Sequence, residues 1–281
     1  MRARSIKRRL ADLAVHLLTA ASALAILGAA GHILLSALIE GLPVLLRGAS
    51  FFLEPPGPPG GDVGGVSPSL AGTLVTVAIA TLASTALGVP AGVMLSEARG
   101  SPLARAAERA VELIAESPSI VVGLVVFTLL VVPMRTPSAL AAAVSLSVVA
   151  LPYVAAQVRE SLAAIPLVYR EAAFSLGLPK WKTVFLLLIP MNARGVATAV
   201  LLGSMRALGE TAPVLFTAGA AFQAFYGIDK PSSTLSLLVF FFAGTPYENW
   251  RKLAWGAVLL LAMLSTSLAF LTRRLSSGVR M

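Results

Sequence analysis

Residues 169–190 read "YREAAFSLGLPKWKTVFLLLIP". Glu171 to Leu176 are good helix formers, with an acid near the amino end where the helix dipole favours it. Gly177 suits a left-handed cap, and Pro179 discourages continuation beyond it. The following "WKTVFLLLIP" is apolar enough to lie along a membrane interface before Pro190 ends it. The pattern predicts a helix–turn–helix with a small, Ala-lined surface that another protein can approach closely. Where this element sits depends on what flanks it.

Both flanks are apolar over membrane-spanning lengths, which require about 20 residues. Leu140–Val158 precedes the stretch and Gly195–Ala218 follows it. Further out lie Leu13–Ile39, Leu70–Leu95, Leu253–Leu271 and the shorter Pro118–Met134, which can draw in Leu113–Ser117 despite Glu116. The chain is 57% hydrophobic and 12% charged, with a mean hydropathy of +0.86. These values place its 281 residues among integral membrane proteins. The expected fold is an all-α membrane protein of six transmembrane helices. The first apolar run exceeds the 7–15 residues of a signal-peptide core, so an uncleaved span is expected. No cysteine is present, which excludes disulfides and Cys-based metal or redox sites. His16 and His32 both fall in the first run and read as packing or interfacial residues.

The net charge of +9 has a topological explanation. With the N-terminus inside, 16 Lys and Arg fall in inner segments and 5 (Arg47, Arg135, Lys230, Arg251, Lys252) in outer ones, leaving Arg206 of the 22. This bias puts both termini in the cytoplasm and removes the case for a nucleic-acid partner. The expected organisation is a cytoplasmic segment 1–12, a first span 13–39, an external loop 40–69, a five-helix core 70–272 carrying the cytoplasmic loop 159–194, and a cytoplasmic tail 273–281. The Pro/Gly-rich "EPPGPPGGDVGGVSP" makes loop 40–69 irregular. "TLSLLVFFFAG", between the last two spans, is too short to cross and is expected to be interfacial, re-entrant or packed on the bundle.

The 169–190 stretch resembles the EAA loop of ABC-importer permeases, in which EAA is followed by three residues, Gly, nine residues and Ile-x-Leu-Pro. Glu171-Ala172-Ala173, Gly177 and Pro190 match, while Leu187 and Ile189 are conservative departures. "RALGETAPVLFTAG" (206–219) and "SPSIVVG" (117–123) resemble segments of phosphate-specific (Pst) permeases of the A-subunit type. Glu116 beside Ser117 departs from that pattern. The resemblance implies a type I ABC importer permease for inorganic phosphate, with no cofactor on this chain. ATP and Mg would belong to a partner dimer of ATP-binding subunits, and the chain lacks a Walker A sequence of its own. The other implied partners are a homologous C-type permease and an external phosphate-binding protein. Glu171, Ala172, Ala173, Gly177 and Pro190 would couple the permease to the ATPase. Another oxyanion such as sulfate, molybdate or phosphonate is the nearest alternative, followed by an ATPase-independent transporter.

The fifth span carries an energetic anomaly. Val196, Val200, Leu201, Leu202, Leu208, Val214, Leu215 and Phe216 favour insertion by about 0.3–0.6 kcal/mol each. A central arginine costs about 2.5–3.5 kcal/mol, and an ionised Glu210 adds a comparable amount. Arg206 and Glu210 therefore need neighbouring helices or water. One reading makes them an i,i+4 pair that locks packing. The other makes them part of a polar pathway, where a guanidinium fork suits phosphate and Glu210 moderates its grip. Ser204 and Thr211 lie close enough in sequence to join that pathway. Pro90, Pro152 and Pro213 are expected to kink their helices. An intramembrane enzyme lacks support, because no nucleophile–base pair, acid pair or metal-ligand set falls at depth.

Overall fold

The computed structural model describes residues 2–276, with side chains over residues 12–275. Met1 and residues 277–281 of the expected tail lie outside the described residues. Four single helices are long and apolar enough to cross a membrane: α1 (Arg2–Leu45), α3 (Ser67–Glu97), α6 (Ala139–Ala163) and α12 (Glu248–Ser276). Two bent pairs bring the number to six if each is one span. These are α4 (Pro102–Glu116) with α5 (Ser119–Met134), bent by 106°, and α8 (Lys180–Met191) with α9 (Ala193–Leu208), bent by 75°. Shorter helices complete the chain: α2 (Ala49–Leu53), α7 (Leu167–Ser175), α10 (Ala212–Thr217) and α11 (Leu235–Ala243).

The centre is an α3–α6 pair whose fit is written in small residues. Gly72, Thr76, Ala80, Ser84, Gly88 and Gly92 recur every four positions along α3 and are all buried. A Cβ on Gly88 would lie 2.9 Å from Val154 Cβ, and one on Gly92 would lie 2.6 Å from the Ala155 carbonyl oxygen. Such stripes let membrane helices approach closely, where dispersion and packing rather than water expulsion drive association. Gly203 brings α9 onto the same Val154, where an added Cβ would stand 2.6 Å from Cγ2. Val154 is thus gripped from two sides. In contrast, α1 touches the bundle through its last turns, with Ala37 and Val44 buried and Gly41 against Trp255 of α12. Its earlier apolar residues, such as Leu24 and Ile26, are exposed, as suits a lipid-facing helix.

The structure agrees with some sequence expectations and revises others. The first helix continues to Leu45, so the first six residues of loop 40–69 are helical. The Pro/Gly-rich remainder is irregular but tied down. Asn249 Nδ2 donates to the Pro58 and Asp62 carbonyls (2.8 and 3.0 Å), and Trp250 Nε1 donates to Gly57 (2.9 Å). "TLSLLVFFFAG" forms α11 and packs on the bundle, with Leu235, Leu237 and Leu238 fully buried. Residues 113–117 do not extend the third span as one straight helix: the chain bends by 106° at Ser117-Pro118, and 113–116 belong to α4. Pro90 and Pro152 sit inside helices that continue past them.

Two prolines show a shared local device. Pro133 in α5 follows a π-turn at Phe127–Val131, and Pro190 in α8 follows one at Thr183–Leu188. Proline lacks an N–H and crowds the carbonyl four residues earlier, so a widened turn just before it relieves the conflict. The helix holding Pro190 consequently ends at Met191, one residue later than expected.

Candidate functional site: a broken fifth span and a capped loop helix

The continuous helix expected over 195–218 does not form. α9 ends at Leu208, Gly209 to Thr211 form a break, and α10 begins at Ala212 with Pro213 in its first turn. Proline is favoured there because its missing N–H is not needed. At 16 residues α9 spans about 24 Å, short of the roughly 30 Å hydrocarbon core. The charges thus lie at a helix break, which supplies free backbone groups that a continuous helix would not.

Surrounding elements hold this break. Ser236 of α11 donates to the Glu210 carbonyl oxygen at 3.0 Å, satisfying an acceptor released by the helix end. A Cβ on Gly123 of α5 would lie 2.6 Å from Pro213 Cα, so the two resemblance-bearing segments pack directly on one another. Thr217 Oγ1 and Ser145 Oγ of α6 lie 3.3 Å apart, and Ser138 N–H donates to the Thr217 carbonyl at 2.9 Å.

The structure brings Arg206 and Glu210 together as an ion pair between Nη2 and Oε1. The contact crosses the break and does not follow one helix face. Glu210 is buried, whereas the Arg206 side chain is 39% exposed. The guanidinium also lies 5.2 Å from the Tyr153 ring centroid, a cation–π distance. Arg206 Nε is buried and has no hydrogen-bond acceptor among the described residues. Arg206 lines an open groove of about 510 Å³ between α6 and α9, with Tyr153, Gln157, Glu160, Leu202 and Met205. Ser204 is turned away: its Oγ donates to the Val200 carbonyl (2.8 Å) and accepts from Thr81 Oγ1 of α3 (3.1 Å). Thr211 is half-buried in the break, its carbonyl accepting the Leu215 N–H at 3.0 Å.

At the other end of the sequence pattern, α7 has the expected cap. Gly177 takes φ +77°, its N–H donates to Phe174 (2.9 Å), and Leu178 N–H donates to Ala173 (3.1 Å). That reciprocal pair is a Schellman motif. Ala173 is buried, while Glu171, Ala172 and Gly177 are exposed. Exposed Leu167, Val168, Phe174 and Leu176 make this helix more apolar on its surface than a solvated loop helix needs to be.

One pair was missed by sequence reasoning. Arg170 of α7 grips Glu97, the last residue of α3, through Nε–Oε2 (3.0 Å) and Nη2–Oε1 (2.6 Å). Its remaining donors reach the Ile165 carbonyl (Nη1, 2.8 Å) and the Leu162 carbonyl (Nη2, 2.9 Å). Hydrogen bonding to Glu97 raises the Arg170 pKa above its ordinary value, so the guanidinium is always charged. Charge counting had assigned Arg170 only to topology. A signal was available, since a base in the first turn of α7 and an acid in the last turn of α3 both oppose the helix dipole.

Residues 88–281 match the family described as binding-protein-dependent transport system inner membrane component. The chain belongs to this family. It is 34% identical over 235 residues to a probable phosphate transport system permease protein PstA of Methanocaldococcus jannaschii, covering 83% of this chain and 82% of that one. It is also 34% identical to the Yersinia pestis phosphate transport system permease protein PstA, covering 84% of this chain and 78% of that one. Among solved structures, inward-facing forms of the MetNI methionine ABC transporter align with a TM-score of 0.61 at 21% identity, covering 77% of this chain and 96% of that chain. This likeness supports a type I importer permease fold.

Proposed function

We propose that this chain is the A-type permease of an ATP-driven inorganic phosphate importer and forms half of its translocation pathway. The observation that carries the reading is Arg206 at the fifth-span break: paired with Glu210 through one nitrogen and partly exposed in a groove. A guanidinium presents a planar fork of donors suited to a tetrahedral oxyanion. Glu210 takes part of that donor capacity, which weakens the hold on an anion and favours its release, as conduction requires. Glycine and proline around the break let the site shift without unwinding a full helix. Pro90 and Pro152 are candidate flexing points along the same bundle. The names of the relatives support phosphate over sulfate, molybdate or phosphonate as cargo.

The proposed complex adds a homologous C-type permease, a dimer of ATP-binding subunits carrying ATP and Mg, and an external phosphate-binding protein. Both termini and the α7 loop lie on the cytoplasmic side of the cell membrane in this reading. The exposed apolar surface of α7 is the docking face for the ATP-binding subunit, with Glu171, Ala172, Ala173, Gly177 and Pro190 shaping it. Uptake by the reconstituted complex tests the assignment. Phosphate uptake that resists excess sulfate is expected. Sulfate-competed uptake insensitive to excess phosphate would overturn the cargo.

A further inference from the structure

The coupling loop must move something inside the membrane, and the structure shows a largely buried polar attachment between α7 and a spanning helix. Arg170 makes four hydrogen bonds in a site where its side chain is only 13% exposed and that of Glu97 only 11%. Two go to Glu97 at the end of α3, and two go to carbonyls at and just beyond the end of α6. Ser96 steadies the carboxylate with a 3.0 Å hydrogen bond to Oε1. Each charge stands at the end of its helix where the dipole opposes it. Neither placement is explained by local helix stability, and each is explained by the other.

The attachment continues into the bundle. α3 packs on α6 through Gly88 and Gly92, and α6 packs on α9 through Val154 against Gly203. Arg206 lies three residues beyond Gly203. Displacing α7 as a rigid body would therefore act first on the ends of α3 and α6, and through close-packed contacts on the break at Gly209. Close packing transmits displacement because it cannot deform continuously.

We propose that Arg170 and Glu97 are positioning residues that link movement of the coupling helix to the spans holding Arg206. This inference rests on the importer reading above. Neither side chain lines the Arg206 groove. They act by keeping α7, α3 and α6 as one body, so ATP-driven movement is delivered to the pathway and not lost in the loop.

The test measures substrate transported per ATP hydrolysed by the assembled complex in vesicles, for wild type, Glu97→Gln, Arg170→Lys and the conservative Glu97→Asp. The transported ion is whichever oxyanion the wild type carries. A wild type that carries sulfate would sink the phosphate reading while leaving this test intact. Glu97→Gln and Arg170→Lys are expected to lower the ratio threefold or more in complexes that still co-purify with the ATP-binding subunit. Glu97→Asp, which keeps the charge that Arg170 grips, is expected to retain at least half of the wild-type ratio. An unchanged ratio in Glu97→Gln and Arg170→Lys would overturn the proposal. A parallel fall of transport and hydrolysis, with Glu97→Asp falling as far as Glu97→Gln, would also overturn it by reducing the pair to a fold-stabilising contact.

Discussion

Two arginine–carboxylate pairs in this chain are built to different standards. Arg170 and Glu97 meet through two good hydrogen bonds, and every other Arg170 contact is to a helix-end carbonyl. Arg206 and Glu210 meet at one ion-pair contact, with a buried Nε left over and the guanidinium facing a groove. A satisfied buried pair fixes position, because breaking it strands a charge. An incompletely satisfied pair keeps capacity for a visitor. Intramembrane charges usually mark function, and the function proposed above gives that role to Arg206, whose side chain is partly exposed in the groove.

Removing Arg170 should have the largest effect on stability. Arg170→Ala leaves Glu97 mostly buried beside carbonyl oxygens and should cost about 3 kcal/mol, the lower end for a broken buried pair. Thermal unfolding of the purified chain measures it. A loss below about 1 kcal/mol would erase the structural contrast between the pairs. Packing at the break comes next. Gly123→Leu forces a side chain into Pro213 and should cost about 2 kcal/mol by overpacking. Transport should fall with it if the break is held by helix contact and not by the ion pair.

Glu210→Gln sharpens the comparison from the other side. The exchange turns a charge-assisted contact into a neutral one, worth about 1.4 kcal/mol less. Arg206 then holds an anion longer, and uptake turnover should drop about tenfold, with a stability loss no larger than that difference. A large stability loss would instead make this pair a second strut. The smallest effect belongs to Gly177→Ala. An added Cβ meets nothing within 4 Å, so only left-handed backbone strain of about 1 kcal/mol remains. The unfolding midpoint should move slightly, while docking of the ATP-binding subunit, read by co-purification, should persist.

Much of this architecture was legible in residue order. The Gly177 cap and the apolar runs follow from local rules, whereas the small-residue ladder on α3 emerged only once α3 and α6 were seen packed together. The fifth span was read as continuous because the anomaly of Arg206 and Glu210 was attributed to charge within one helix and not to a break in it. That break depends on Ser236 and Gly123, which are distant in sequence and invisible to a window. The same limit hid Glu97, whose partner lies 73 residues away. Ser204 was grouped with Arg206 by proximity in sequence, yet two residues along a helix turn a side chain to another face. It points to Thr81 of α3.

The central claim is that Arg206 handles the transported anion. Phosphate-stimulated ATPase activity of the assembled complex, compared between wild type and Arg206→Ala, tests it most directly. The account predicts that stimulation disappears while the variant chain still co-purifies with its partner subunits. Full stimulation in the variant would contradict it and leave Arg206 a packing residue.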